Sequence, residues 1–277
     1  MGIKRFAQDL IPPIFLQAVK SVRGSKIRTY KSYDEAIRDS SIDGYETDDV
    51  VKVVVAKNKK FVEKIKNEKI FDIGMLRTLI GIGVAKKERM RVLDFGGGGG
   101  YHYYIAKNAF DVDVELSWCV VETPAMAKMA KCELETTSLR FAPSIDEAVS
   151  ILGEVDLIFS SGTLHTTDNP LKHLKELIDV SAKNIFITRT SFSQDDQEHV
   201  FIQNSLLSHN GPGELPEGFK DKNIFYPNVF VPISKSKELI LSSGYSIRFE
   251  IIEERNVYKF GSSTFSMYGF YCEKIDQ

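Results

Sequence analysis

The sequence predicts an α/β protein built on a doubly wound, mostly parallel sheet of seven strands. From residue 91 onward, short β-branched and aliphatic runs alternate with helical stretches, which is the pattern of parallel βαβ units. The first run ends in five consecutive glycines at 96–100, and two further β-like runs close the chain. We therefore expect a helical N-terminal segment over 1–85 and a ligand-binding domain over 86–277.

The N-terminal segment is predicted to be largely helical. One helix starts near Pro13, and another covers 72–80. Between them, apolar residues recur near helical spacing over 47–65, with Thr47 placed as an N-cap, although the valine-rich centre leaves a strand conceivable. We expect this segment to cap a ligand pocket or to form the contact of a homodimer.

The remaining elements alternate along the chain. Residues 193–232 interrupt the alternation as an insertion, in which we predict a helix over 195–208 and then a loop with four prolines. A helix over 234–242 follows the insertion. The predicted strands lie near 91–95, 117–121, 138–142, 155–160, 184–189, 246–252 and 265–272.

The glycine run indicates a ligand site. Glycine has no Cβ, so such a loop can adopt positive φ and present its backbone N–H groups to a ligand. At the mouth of a strand–loop–helix unit, those groups favour a polar or anionic ligand group. The dinucleotide fingerprint G-x-G-x-x-G fails, because Tyr101 or His102 stands where its third glycine is needed. A strand-closing acid followed by G-x-G-x-G is met in full by Asp94, Gly96, Gly98 and Gly100.

The next strand also ends in an acid. Glu122 follows the run 116–121, and Thr123-Pro124 then opens a helix with a threonine N-cap and a proline in its first turn. In a doubly wound sheet, the carboxyl ends of neighbouring parallel strands face one crevice. An acid in that crevice is placed to accept two hydrogen bonds from ribose hydroxyls. The alternative is a solvated carboxylate near a helix N-terminus.

These residues resemble the class I S-adenosylmethionine-dependent methyltransferases, with Asp94 to Gly100 as their first motif and Glu122 as the ribose-binding acid. The chain is also similar to a family of methyltransferases linked to bacterial surface-polysaccharide synthesis. The resemblance implies a Rossmann-like methyltransferase fold, in which the last strand inserts antiparallel, and S-adenosylmethionine as the cofactor. The matching stretches include VLDFGG at 92–97, WCVVE at 118–122, LRF at 139–141, SSGTL at 160–164, ITRT at 187–190 and Tyr226-Pro227.

Further candidate residues follow the other strands. His165, just past the fourth strand, is the best candidate for a general base because an unperturbed imidazole titrates near neutrality; a loop histidine held by hydrogen bonds is the alternative. Arg189, past the fifth strand, is placed to bind a phosphate or carboxylate on the acceptor, or to pair with a structural acid. Ser144 and Ile145 follow the third strand and are expected to contact the adenine. Ser160 completes the predicted cofactor-binding residues.

Composition limits the expected partners and the expected cellular location of the protein. The net charge of −2 gives no global sign of nucleic-acid binding. The three cysteines are odd in number and lack C-x-x-C spacing, which argues against a disulfide framework or metal site and favours a cytoplasmic location. We expect no signal peptide and no membrane-spanning stretch. The basic residues of 1–31 are expected either to pack on the protein body with a solvated face or to touch an anionic membrane surface.

The resemblance implies an S-adenosylmethionine-dependent methyltransferase that acts on a small molecule or a glycan in surface-polysaccharide synthesis. Two alternatives stay open. An NAD-dependent sugar oxidoreductase or epimerase is disfavoured by the missing third glycine and by the absence of a Tyr-x-x-x-Lys dyad after the sheet core. A non-catalytic scaffold that binds S-adenosylmethionine differs only in lacking turnover.

Overall fold

The computed structural model describes residues 29–39, 46–110, 114–253, 258–260 and 263–275. The helix expected near Pro13 lies outside these residues, as does nearly all of the basic segment 1–31. The helices are α1 (Tyr33–Asp39), α2 (Asp48–Glu68), α3 (Leu76–Ala85), α4 (Tyr101–Phe110), α5 (Pro124–Leu134), α6 (Ile145–Leu152), α7 (Pro170–Asp179) and α8 (Ile233–Ser242).

The strands are joined by short loops and by three 3₁₀ turns, which cover Ile73–Met75, Leu164–Thr166 and Leu207–His209. The strands are β1 (Thr29–Tyr30), β2 (Arg89–Phe95), β3 (Glu115–Val121), β4 (Leu139–Ala142), β5 (Leu157–Ser161), β6 (Asn184–Ser193), β7 (His199–Leu206), β8 (Asn223–Pro232), β9 (Tyr245–Ile252), β10 (Tyr258–Phe260) and β11 (Ser263–Lys274).

Seven of these strands form the predicted doubly wound sheet, in the order β4-β3-β2-β5-β6-β11-β9. The first five are parallel to one another, and β11 runs antiparallel to both β6 and β9. The chain moves outward from β2 through β3 and β4, then returns to the other side of β2 for β5 and β6. The strand order thus reverses between β2 and β5. This arrangement confirms the predicted fold class.

The sheet is larger than the seven strands expected from the sequence. Within the described residues it has 11 strands, because β10 pairs with β11 and a ribbon of β1, β7 and β8 joins the end of β6. The helix predicted over 195–208 is wrong: β7 pairs antiparallel with β8 along its whole length. The sequence of β7, HVFIQNSL, is compatible with a strand because three of its four apolar residues are β-branched or aromatic.

The sheet is covered on both faces, as doubly wound sheets require. One face packs on α2 to α5 through a cluster that includes Trp118, Phe159 and Phe186. The other face packs on α6 to α8 through a cluster that includes Leu93 and Cys119, so Cys119 is a core residue as expected. The helix predicted over 47–65 is confirmed as α2. Among the helices that the structure describes, none combines the length and hydropathy needed to span a bilayer.

Candidate functional site

The loop of residues 96–100 joins β2 to α4 at the point where the strand order reverses. Gly96, Gly98 and Gly100 have φ of +78°, +58° and +84°, which strain any residue with a Cβ. A Cβ on Gly96 would collide with the side chain of Thr163, and one on Gly100 would lie 2.8 Å from Cδ2 of Leu139. These two glycines are thus required by the packing of the loop on its own neighbours.

Gly98 has more room than the other glycines of the loop. The nearest atom to a Cβ placed there is Cγ1 of Val54, at 3.4 Å. Its backbone N–H donates to Oε1 of Glu122 at 2.9 Å. Crevices at the reversal point of a doubly wound sheet are where such folds bind ligands. Of the five loop glycines, Gly98 therefore leaves the most space beside its backbone.

Asp94 closes β2 and lies beneath the loop, fully buried. Its Oδ2 accepts a hydrogen bond from Nε1 of Trp118 at 3.1 Å and lies 3.1 Å from Nδ1 of His102. A Cβ on Gly97 would collide with this carboxylate. The contacts join β2, β3 and the start of α4 below the glycine run, so they fix the shape of the loop.

Glu122 stands at the end of β3, beside the loop. Oε2 accepts a second hydrogen bond, from the backbone N–H of Thr123 at 3.0 Å. Burial raises the pKa of the Glu122 carboxyl, while these two N–H donors oppose the rise. A carboxylate has about four lone-pair sites, so each oxygen can accept a further hydrogen bond from a ligand hydroxyl.

The other residues predicted to contact the cofactor already make contacts within the protein. The hydroxyl of Ser144 caps α6 by accepting from the N–H of Glu147 at 3.2 Å, and Ile145 packs against the second core cluster. Ser160 is buried, and its hydroxyl donates to the carbonyl of Phe95 at 3.1 Å. Ser160 thereby links β5 to β2. The cofactor contacts proposed for these residues stay predictions.

His165 lies in the 3₁₀ turn that follows β5. The side chain is buried, with the residue 6% exposed, and Nδ1 has no hydrogen-bond partner among the residues that the structure describes. Burial, with the nearby guanidinium of Arg189, lowers the pKa of the imidazole to about 3. The imidazole is desolvated, so the near-neutral pKa of a solvated histidine does not apply at this position. His165 is neutral at physiological pH and is a weaker base than a solvated histidine.

Arg189 lies in β6, beside the same turn. Its φ is +54°, although it is a non-glycine residue within a strand. Its guanidinium faces Gly162, where an added Cβ would lie 3.6 Å from the arginine Cζ. The backbone N–H of Arg189 donates to Oε1 of Glu253 at 3.2 Å.

Glu253 is a buried carboxylate that the sequence did not identify. Its side chain is 6% exposed, and Oε2 accepts from Nε of Arg77 at 2.6 Å. Oε1 accepts from the hydroxyl of Thr188 as well as from the Arg189 backbone. Arg77 comes from α3, Thr188 from β6 and Glu253 from the end of β9. No local sequence pattern indicates a cluster whose members are this far apart along the chain.

Parts of the N-terminal segment also reach this edge of the sheet. Asn58 of α2 is buried against Gly99, where an added Cβ would lie 2.7 Å from the asparagine side chain. Tyr33 of α1 donates its hydroxyl hydrogen to the carbonyl of Thr166 at 3.0 Å. The glycine loop and the 164–166 turn are therefore both contacted by this segment, and its role as a cap or as a dimer contact stays a prediction.

The β7–β8 ribbon presents buried amides near the same end of the sheet. Asn228 is fully buried and donates from Nδ2 to Oε1 of Gln203, while its Oδ1 has no hydrogen-bond partner within the described part of the chain. The strand β8 also lies against the 164–166 turn. Across the described residues, no group of three or more His, Cys, Asp and Glu side chains is arranged to hold a metal ion.

Similar arrangements of the chain occur among solved methyltransferases. An S-adenosylmethionine-dependent methyltransferase from Clostridium acetobutylicum is 11% identical, with a TM-score of 0.47 over 79% of this chain and 99% of its own. An amino pentose methyltransferase of calicheamicin biosynthesis from Micromonospora echinaspora, solved with bound S-adenosylmethionine, is 10% identical, with a TM-score of 0.47 over 78% of this chain and 96% of its own. The CcbJ methyltransferase from Streptomyces caelestis is 12% identical, with a TM-score of 0.44 over 72% and 94%.

At these identities and TM-scores, the similarities assign neither an activity nor a ligand to this chain. No protein-family model matches the sequence, and no curated protein matches it significantly. The fold class rests on the strand order described above. What the site can do must be argued from its own residues.

Proposed function

We propose that this chain is an S-adenosylmethionine-dependent methyltransferase whose acceptor is a small molecule or a glycan. The observation that carries the proposal is the pairing of Gly98 with Glu122 at the reversal point of the sheet. An open, left-handed glycine backbone and a carboxylate at the end of the next strand are joined there by a hydrogen bond of 2.9 Å. This combination suits a ligand that carries a ribose.

The residues present fit this cofactor. Glu122 would accept hydrogen bonds from the ribose hydroxyls, and the backbone around Gly98 would lie against the cofactor. We assign the adenine to the neighbourhood of Ser144 and Ile145, at the end of β4. When bound, the cofactor supplies a methyl group that is already activated by the positive charge on its sulfur. The protein must therefore mainly align the acceptor atom and exclude water.

The acceptor side is assigned to the edge formed by the 162–166 turn and Arg189. A buried polar atom without a partner is costly, and Nδ1 of His165 has none among the described residues, so we assign to it a hydrogen bond with an acceptor hydroxyl. The half-buried Arg189 guanidinium is suited to a carboxylate or phosphate on the same acceptor. A hydroxylated, anionic small molecule or glycan precursor satisfies both groups. A role in surface-polysaccharide synthesis is supported by the sequence resemblance.

Calorimetry with S-adenosylmethionine, S-adenosylhomocysteine and NAD tests the proposal. Micromolar binding of the first two ligands without binding of NAD supports it, whereas binding of NAD alone overturns it in favour of an oxidoreductase. Trp118 provides a second readout, since it is the single tryptophan and its indole bonds to Asp94 beneath the loop. Its fluorescence should change with the same titration midpoint.

A further inference from the structure

Arg189 has an unusual backbone conformation. Among the described residues, three non-glycine residues have positive φ: Lys69, Ser181 and Arg189. Lys69 caps the end of α2, and Ser181 follows the end of α7, and left-handed residues are common at helix ends. Arg189 is the one of the three that lies inside a strand. A residue with a Cβ rarely adopts positive φ inside a strand unless its surroundings impose that conformation. Residues held in this way cluster at functional sites.

Two neighbouring features impose this conformation. The first is Glu253, whose Oε1 accepts hydrogen bonds from the Arg189 N–H and from the Thr188 hydroxyl. The second is a bulge in β6, where Thr188 and Arg189 both lie opposite the single residue Gly269 of β11. Glu253 is itself held by Arg77, and its backbone N–H donates to the carbonyl of Met267 at 3.1 Å. These contacts hold the Glu253 carboxylate in place independently of Arg189.

The conformation decides where the arginine side chain goes. It places the guanidinium against Gly162, whose own φ is +78° and whose N–H donates to the Thr188 carbonyl at 3.0 Å. The adjoining residue, Thr163, donates to the Gly96 carbonyl at 3.2 Å. The guanidinium therefore stands on the turn that packs against the glycine loop. An ordinary extended conformation at Arg189 would direct the side chain elsewhere.

We infer that Glu253 is a positioning residue, which holds Arg189 in the left-handed conformation so that its guanidinium can bind an anionic group of the acceptor. This inference rests on the proposed function for the reaction that it serves. Glu253 touches neither cofactor nor acceptor in this assignment; it acts through Arg189. The ligand class is a carboxylate or a phosphate, which arginine recognises through paired N–H donors.

The first experiment measures the conformation by urea unfolding of Arg189→Gly and Arg189→Ala, without cofactor. Glycine tolerates positive φ and alanine does not, so we expect Arg189→Gly to unfold at the higher urea concentration. In the Glu253→Gln background, this advantage of glycine should shrink or reverse, because the anchor of the left-handed backbone is weakened. Equal midpoints of the two Arg189 variants, or an advantage of glycine that does not depend on Glu253, would overturn the inference.

The second experiment measures anion binding with inorganic phosphate, also without cofactor, so that it stands apart from the test of the methyltransferase proposal. We expect Arg189→Gln and Glu253→Gln each to weaken phosphate binding by roughly tenfold. The double variant should bind no more weakly than Arg189→Gln alone, since Glu253 acts through Arg189. Wild-type protein that does not bind phosphate, or Glu253→Gln that binds it normally, would contradict the inference.

Glu250 provides a matched control, because it lies in β9, the strand that Glu253 directly follows. Glu250 of β9 is bonded to Lys237 and to Tyr268. We expect Glu250→Gln to leave phosphate binding unchanged. Thr188→Val removes one hydrogen bond of the Glu253 carboxylate and keeps its charge. This milder variant should weaken phosphate binding in the same direction, so the inference is testable even where Glu253→Gln folds poorly.

Discussion

Gly98 donates its backbone N–H to Oε1 of Glu122 across 2.9 Å, and this bond ties the end of β3 to the loop that follows β2. The two residues are 24 positions apart in the sequence. The bond sets the distance between the loop backbone and the carboxylate, and it does so before any ligand is present. A ribose-bearing ligand would therefore meet a preformed pair of contacts.

Removal of the Glu122 carboxylate should weaken cofactor binding. Loss of hydrogen bonds to a charged group corresponds to about 1–3 kcal/mol, so Glu122→Ala should bind S-adenosylhomocysteine roughly 5- to 150-fold more weakly in calorimetry. Glu115→Ala is the matched control, since Glu115 begins the same strand in an exposed ion pair with Arg89. Unchanged affinity in Glu122→Ala would remove its assignment to the ribose.

Protonation of the Glu122 carboxyl should make the affinity for the cofactor fall at acid pH. Burial raises the pKa of Glu122 above its ordinary value of 4.5, and protonation turns one oxygen into a donor and weakens both oxygens as hydrogen-bond acceptors. We expect the affinity for S-adenosylhomocysteine to fall as pH decreases, with a midpoint above that value. The raised pKa also means that the folded state gains stability as pH falls through the interval between the unfolded and folded pKa. In Glu122→Gln, both dependences should disappear.

Two glycines of the loop should respond differently to alanine. Gly100→Ala adds a Cβ at positive φ, 2.8 Å from Leu139, so urea unfolding should show a loss of about 1–3 kcal/mol or more. Gly98→Ala is strained in φ but meets its first neighbour at 3.4 Å. We expect a smaller stability loss and a larger loss of cofactor affinity in Gly98→Ala. Equal losses of stability and of cofactor affinity in the two variants would contradict a cofactor contact at Gly98.

Lys57 should make stability depend on alkaline pH. This lysine of α2 is 1% exposed, donates to the carbonyl of Ser208 at 2.7 Å, and has its pKa lowered by burial to about 8. Since the unfolded chain holds this proton up to its ordinary pKa of 10.5, wild-type stability should rise between about pH 8 and pH 10.5 relative to Lys57→Met. Urea unfolding across that range measures the difference, and parallel curves would contradict it.

Much of the doubly wound sheet could be predicted from local patterns. The run ending at Asp94 and the run ending at Glu122 each combine β-branched residues with an acid and a helix start. Their places at the reversal point follow from general rules of parallel sheets. The strand β7 was missed because polar residues such as Gln203 and Asn204 break its alternation, and only its pairing with β8 decides between helix and strand.

The electrostatics of the site could not be predicted in the same way. The pKa of His165 depends on its burial by elements that are distant in the chain, and no local pattern encodes that burial. The contact between Glu253 and Arg189 joins residues 64 positions apart. The positive φ of Arg189 has no sequence signature either, because the residue type that signals such a conformation is glycine.

The β7–β8 ribbon meets the doubly wound sheet at two residue pairs, Phe192 with Val231 and Ser193 with Pro232. Its remaining strand pairing is internal or with β1. The half of the site that carries Gly98 and Glu122 draws on none of these pairs. A change in the ribbon would therefore reach the glycine loop not through the sheet but through α2, whose Lys57 bonds to Ser208 and whose Asn58 packs on Gly99.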